Sequence, residues 1–187
     1  MSEKSLFAEP AKWVDRYGDM IYRYLLVRVN DKVVAEDIVQ ETFYSALKGL
    51  EGFKGESSEK SWLFAIARNK MIDYFRKTSR EAIEYSLNMK SDDAEWFDEK
   101  GQWIQERMPV DWRSSQNEME RKEIQSVIFR CRKHLKKLQD QVFSMKYLDE
   151  MTADQICKVL GITASNYWVL IHRARLQMRE CVEKSLI

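Results

Sequence analysis

The chain has 187 residues, a third of them charged, with only 6 glycines and 2 prolines, a composition that favours helices over a β-sandwich, whose turns need more of both. No stretch approaches the roughly 18–20 uninterrupted apolar residues of a membrane span, and the N-terminus lacks the apolar run of a secretory signal, so a soluble chain without membrane insertion is expected. The three cysteines, Cys131, Cys157 and Cys181, include no C-x-x-C pair, which suggests neither a disulfide framework nor a zinc knuckle and fits a reducing cytoplasm.

The net charge of +1 conceals an uneven distribution. Residues 1–80 carry 14 basic and 12 acidic side chains, residues 81–112 carry 3 and 9, and residues 113–187 carry 14 and 9. The basic excess therefore sits at the two ends of the chain, with an acidic stretch between them.

Residues 11–29 and 32–50 are long enough for helices, and in the second Ala35, Val39, Phe43, Ala46, Leu47 and Leu50 recur at helical spacing as a core stripe. Asn30 and Asp31 supply a stop and a cap between them, which predicts an antiparallel pair. On the opposite face Asp37, Gln40, Glu41 and Tyr44 fall at i, i+3, i+4 and i+7, an acidic surface able to pair with arginines. A polar loop over residues 52–58 leads into a third helix from Glu59 to about Lys77, capped by Ser58, with Trp62, Leu63, Ile66, Ala67 and Met71 on its buried side. Arg68, Lys70, Arg76, Lys77 and Arg80 give that helix a basic run beside Phe64, Tyr74 and Phe75. Cations hold phosphates and flat rings stack on unpaired bases; Asn69 is the polar candidate for a DNA contact.

These helices form a first domain over residues 8–80, followed by an acidic linker over 81–116. Its Trp96, Phe97, Trp103 and Trp112 leave open either a solvated spacer or a segment that docks on a partner. The second domain, residues 117–187, is predicted to hold three or four helices, with Ile124, Val127, Ile128, Cys131, Leu135 and Leu138 on one apolar face. Cys131 and His134 are too few to make a metal site, and no metal or other cofactor is expected.

Within the second domain, residues 151–175 read as a helix-turn-helix. Thr152 and Gln155 have capping-box spacing, Gly161 sits where a tight turn needs positive φ, and Thr163 can cap the next helix. Tyr167, Ile171, Ala174 and Met178 then share a buried face. That leaves Ser165, Asn166, Trp168 and His172 for base edges and Arg173 and Arg175 for phosphates, the arrangement of a helix laid in a major groove. No nucleophile, orienting carboxylate, phosphate loop or metal cluster suggests catalysis, so a non-enzyme is expected.

Two segments together carry a family resemblance. AEDIVQETF at residues 35–43, followed by SWLFAIARNKMIDYFRK at residues 61–77, resembles region 2 of bacterial sigma factors of the extracytoplasmic-function (ECF) group, and the helix-turn-helix ending HRAR at residues 172–175 is similar to their region 4. The resemblance implies an all-α chain of two small helical domains, a dissociable subunit of RNA polymerase. Region 4 would read the minus-thirty-five promoter element and region 2 would melt the minus-ten element.

It assigns Asp37, Gln40, Glu41 and Tyr44 to the polymerase core and the residue 53–61 loop to an extruded base. Phe53, Lys54, Ser57 and Ser58, with Arg68, Asn69, Lys70, Arg76 and Lys77, become the minus-ten set. It also implies an anti-sigma factor as partner, with the chain monomeric when free or bound to that inhibitor. Two departures stand out: Val34 precedes the Ala-Glu-Asp triplet where the family has a small acidic or polar residue, and Trp168 and Leu170 replace the usual basic residues of the recognition helix. The alternative is a stand-alone helix-turn-helix regulator, which footprints duplex DNA without polymerase, whereas small sigma factors bind promoters poorly when free.

Overall fold

A computed structural model describes residues 8–86 and 121–186, and every regular element among them is helical. The first bundle comprises α1 (Trp13–Val29), entered through a 3-10 turn at Pro10–Lys12, then α2 (Lys32–Lys48) and α3 (Glu59–Ser86). The second comprises α4 (Arg121–Arg132), α5 (Lys137–Tyr147), α6 (Ala153–Leu160) and α7 (Ala164–Leu186). No helix among the described residues is long and apolar enough to cross a membrane.

The caps fall where the sequence places them. Asn30 ends α1 in the left-handed region (φ 56°) with its amide on the Leu26 carbonyl, and Asp31 accepts the Val34 amide at 3.1 Å to start α2. Each such cap contributes about 1 kcal/mol, and together they turn the chain back on itself. Ser58 likewise accepts the Ser61 amide at the start of α3. That helix runs past its predicted end near Lys77 to Ser86, with the Thr78 hydroxyl donating to the Tyr74 carbonyl within it. The remainder of the acidic segment, with its four aromatics, lies outside the described residues.

Ala35, Phe43 and Ala46 are buried as the periodicity predicts, but the α2 stripe is rotated. Ile38 and Thr42 are also buried, the latter with its hydroxyl on the Ile38 carbonyl at 2.7 Å, while Leu47 faces solvent at 54% exposure. Ile21 and Leu25 of α1 and Leu63, Ala67, Met71 and Phe75 of α3 complete this core. Trp62 is half-buried between Trp13 and Phe53, with ring centroids at 5.8 and 4.8 Å, so it is a packing residue. Glu59 ties α3 to the entry of α1 by accepting from the Trp13 indole (2.6 Å) and the Glu9 amide (2.7 Å). Burial pushes its carboxyl pKa up, but those donors, with the Tyr17 hydroxyl, outweigh burial and hold it below the ordinary value.

In the second bundle Val127, Cys131, Leu135 and Leu138 are buried, whereas Ile124 and Ile128 are exposed, against expectation. Helix α4 meets α7 along a narrow seam, Val127 and Cys131 against Ala174 and Met178, and its flanks stay in solvent. That pairing corrects the cysteine reading: Cys131 and Cys181, 50 residues apart, form a disulfide with Cα atoms 5.6 Å apart, leaving Cys157 free. Spacing alone could not reveal a pair that only the docking of α4 on α7 brings together. Closing a loop of this length is worth about 4 kcal/mol in the chain-entropy model. Reduction with dithiothreitol, or Cys131→Ser, is therefore expected to lower the thermal midpoint by about 10 °C; an unchanged melt in reductant would show that the bond contributes nothing.

The two bundles are docked. Leu138, Val142, Met145, Met151, Ile156 and Leu160 continue the apolar core of the first bundle, as expected of units too small to bury a full core alone. Around this runs a polar clasp. Arg132 donates to the carbonyls of Val27 and Arg28 at the end of α1 and to both oxygens of Asp140. Ser144 donates to the Arg28 carbonyl, Arg28 pairs with Asp149 at 2.8 Å, Gln141 donates to Thr78, and Ser79 donates to the Leu160 carbonyl at 3.0 Å. Carbonyls that α1 cannot satisfy itself are thus capped from the other bundle. A cleft of about 500 Å³ lined by Asn30, Tyr74, Arg132 and Lys137 opens beside the clasp.

Candidate nucleic-acid interface

The helix-turn-helix is assembled by local hydrogen bonds. Thr152 and Gln155 form the reciprocal capping box, each side chain on the other's amide, at 3.3 and 2.9 Å. Helix α6 ends at Gly161 (φ 69°), whose amide reaches the Cys157 carbonyl at 2.9 Å, and Thr163 accepts the Asn166 amide at 3.2 Å to start α7. A side chain at Gly161 would meet no neighbour, so glycine is required there by backbone conformation alone. Ile156, Leu160, Ile162, Tyr167 and Ile171 are buried and hold the angle between the two helices.

That angle decides which face of α7 is presented. Tyr167, Ile171, Ala174 and Met178 are buried as the sequence predicts. Ser165, Trp168, His172 and Arg175 are exposed, and Asn166 and Arg173 are half-buried. Between Ala164 and Arg179 the helix carries no carboxylate, so nothing on it repels phosphate.

On α2, Asp37, Gln40, Glu41 and Tyr44 are all exposed in one row. Glu41 approaches Lys70 at 3.7 Å and the Lys48 ammonium lies 4.4 Å from the Tyr44 ring centroid. The Glu41–Lys70 pair is solvent-facing and worth little in stability, but it shows that the acidic row of α2 borders the basic run of α3. On α3, Arg68, Asn69, Arg76 and Lys77 are exposed and Lys70 is half-buried; Arg76 is held by Asp73 at 2.7 Å.

The loop before α3 divides its residues between two tasks. Lys54 and Ser57 project into solvent, while the exposed Ser58 spends its hydroxyl capping α3. Phe53 is 5% exposed and packs on Trp62 with the rings tilted by 37°, which anchors the loop and keeps the Phe53 ring from the surface. Sequence reading missed the clasp residues Arg28, Arg132, Asp140 and Asp149 altogether. The available signal was an arginine in the last turn of α1 and of α4, where a cation meets free carbonyls.

Comparison with known proteins matches residues 13–81 to sigma-70 region 2 and residues 127–178 to sigma-70 region 4. A probable RNA polymerase sigma factor of Haemophilus influenzae is 36% identical over 160 residues, 86% of this chain and 82% of that protein. The ECF RNA polymerase sigma factor SigM of Bacillus subtilis is 29% identical over 87% of this chain and 88% of its own length. Among solved structures, the sigma factor RpoE in complex with the anti-sigma factor NepR from Bartonella quintana aligns at TM-score 0.43 and 18% identity, over 92% of this chain and 96% of that one.

Proposed function

The chain belongs to the extracytoplasmic-function group of the sigma-70 family, and from that premise we infer that it is an alternative initiation subunit, binding RNA polymerase core and directing it to a chosen set of promoters. The observation that carries this reading is the pairing, in one chain and in family order, of an exposed acidic row on α2 with a helix-turn-helix whose α7 face is exposed and free of carboxylates. RNA synthesis stays with the core enzyme, and the work of this chain belongs with the chromosome in the cytoplasm, a reducing compartment that holds Cys131 and Cys181 as thiols until conditions turn oxidising.

In this reading Asp37, Gln40, Glu41 and Tyr44 meet the core. Lys54, Ser57, Arg68, Asn69, Lys70, Arg76 and Lys77 contact the melted minus-ten element, with Phe53 and Ser58 shaping the loop rather than touching a base. Ser165, Asn166, Trp168, His172, Arg173 and Arg175 engage the minus-thirty-five element. Residues 8–80 and 117–187 are the two functional domains and 81–116 joins them. An anti-sigma factor is the protein partner expected when polymerase is not bound, and the exposed Tyr44 and Leu47 are apolar surface for it to cover.

The test is footprinting with and without core. Protection of both promoter elements is expected only when core is added; protection of duplex DNA by the chain alone would identify a stand-alone regulator. Because Asp37 and Glu41 are exposed, Asp37→Ala with Glu41→Ala should leave the melting curve unchanged. The concentration of chain needed to half-saturate core should rise about tenfold or more, the worth of one lost charge-assisted bond. Unchanged affinity would remove the α2 row from the core interface.

A further inference from the structure

We propose that Trp168 reads a thymine methyl group in the minus-thirty-five element, a refinement that rests on the assignment of α7 as the recognition helix. Trp168 is 63% exposed, and Val169 beside it is 42% exposed, with Ser165 and His172 one turn to either side. Tryptophan is enriched at interfaces, where its apolar ring is buried against a partner. Its direction is set from below: the Tyr167 ring, 1% exposed, meets it edge-on at 5.1 Å between centroids. Trp168 is also the fifth residue of α7, within the N-terminal part that reaches base edges when such a helix enters the major groove.

The chemistry of that groove narrows what the ring can recognise. Base edges there present donors, acceptors and one apolar group, the thymine C5 methyl. Indole has a single N–H donor and no acceptor, so it cannot make the bidentate contacts that distinguish guanine or adenine. Its apolar face suits the methyl. The charge around it points to nucleic acid rather than to an apolar protein groove, since α7 has no carboxylate before Glu180 and carries Arg173 and Arg175 within two turns of Trp168, while Arg179 is paired with Glu183 at 2.8 Å.

The experiment starts from promoters selected by wild-type holoenzyme out of a library randomised at the minus-thirty-five element. Each thymine of the selected element is then replaced by uracil, which removes the methyl and keeps the pairing, and holoenzyme affinity is measured by competition. Wild type should lose about fourfold at one or two positions, the worth of one buried methyl. Trp168→Ala should show no loss at those positions, and Trp168→Phe should keep part of it. The side chain is largely exposed, so both variants should melt like wild type.

A silent uracil scan with wild type overturns the proposal, as does Trp168→Ala remaining as uracil-sensitive as wild type. Weakened core binding by Trp168→Ala with unchanged base preference assigns the ring to a protein contact and overturns it as well. If wild-type chain and core select no promoters at all, the sigma reading fails and takes this refinement with it, a result separate from the other three.

Discussion

Arg132→Ala is expected to destabilise the chain by about 3–5 kcal/mol, the range for removing one partner of a buried ion pair. Arg132 is 2% exposed and makes four hydrogen bonds, two to Asp140 and two to the free carbonyls at the end of α1. Alanine removes a cation from a helix C-terminus and leaves a mostly buried carboxyl without its partner. For Asp140, burial pushes the pKa up and Arg132 pulls it back, and burial wins, so the pKa lies above the ordinary value.

The sign of the pH dependence follows. A carboxyl whose folded pKa is raised favours the folded state when protonated, and that contribution is lost as pH rises through the folded value. Without Arg132 the pKa is pushed higher still. The loss should therefore be full at neutral pH and shrink as the solution becomes acidic, which denaturant melts at the two pH values would show. Arg132→Met with Asp140→Leu should recover much of the stability, since a buried apolar pair needs no counter-charge. A single variant that melts like wild type at neutral pH would contradict a structural role for the clasp.

The second large effect is a change in distance. In the proposed reading, elements near minus ten and minus thirty-five are about 25 base pairs apart, roughly 85 Å of duplex, whereas Ser79 and Leu160 of the two bundles are joined by a 3.0 Å hydrogen bond. On the proposed assignment of one element to each bundle, a chain clasped in this way does not span both, and the bundles are expected to part on the promoter. Parting exposes the apolar surface of Leu138, Val142 and Met145 as well as breaking the clasp, and core has to supply compensating contacts. Shifting a closed population from 99:1 to 1:99 requires core to bind the open form about 10⁴-fold more tightly. Fluorophores introduced by noncanonical amino acids at the exposed Asp19 and Lys158, neither of them a proposed contact residue, leave the cysteines untouched. Energy transfer should be high in the free chain and lost in the promoter complex; high transfer retained there would contradict the opening.

Much of this architecture was legible because its determinants are local. Asn30, Asp31, Ser58, Thr152, Gly161 and Thr163 act within one turn of their own positions, and each caps or turns as its residue type predicts. The buried face of α7 was legible for the same reason, since a 3.6-residue period is written along one helix. Leu47, Ile124 and Ile128 misled because an apolar residue at core spacing is buried only where another element covers it, and none among the described residues does so. The clasp and the disulfide were illegible because they join positions far apart in the chain: Arg28 to Asp149, Arg132 to Val27, Cys131 to Cys181. Most of the candidate DNA-contact residues are exposed, as their helical positions indicate, but nothing in the sequence indicates that Phe53 turns inward onto Trp62.

The most direct test of the central claim is transcription by purified core, with and without this chain, from a library of promoter fragments, read by sequencing the transcripts. The predicted result is a discrete set of start sites that appears only with the chain and shares elements near minus ten and minus thirty-five. The same transcripts from core whether or not the chain is present, with the chain failing to join core on a sizing column, would contradict it.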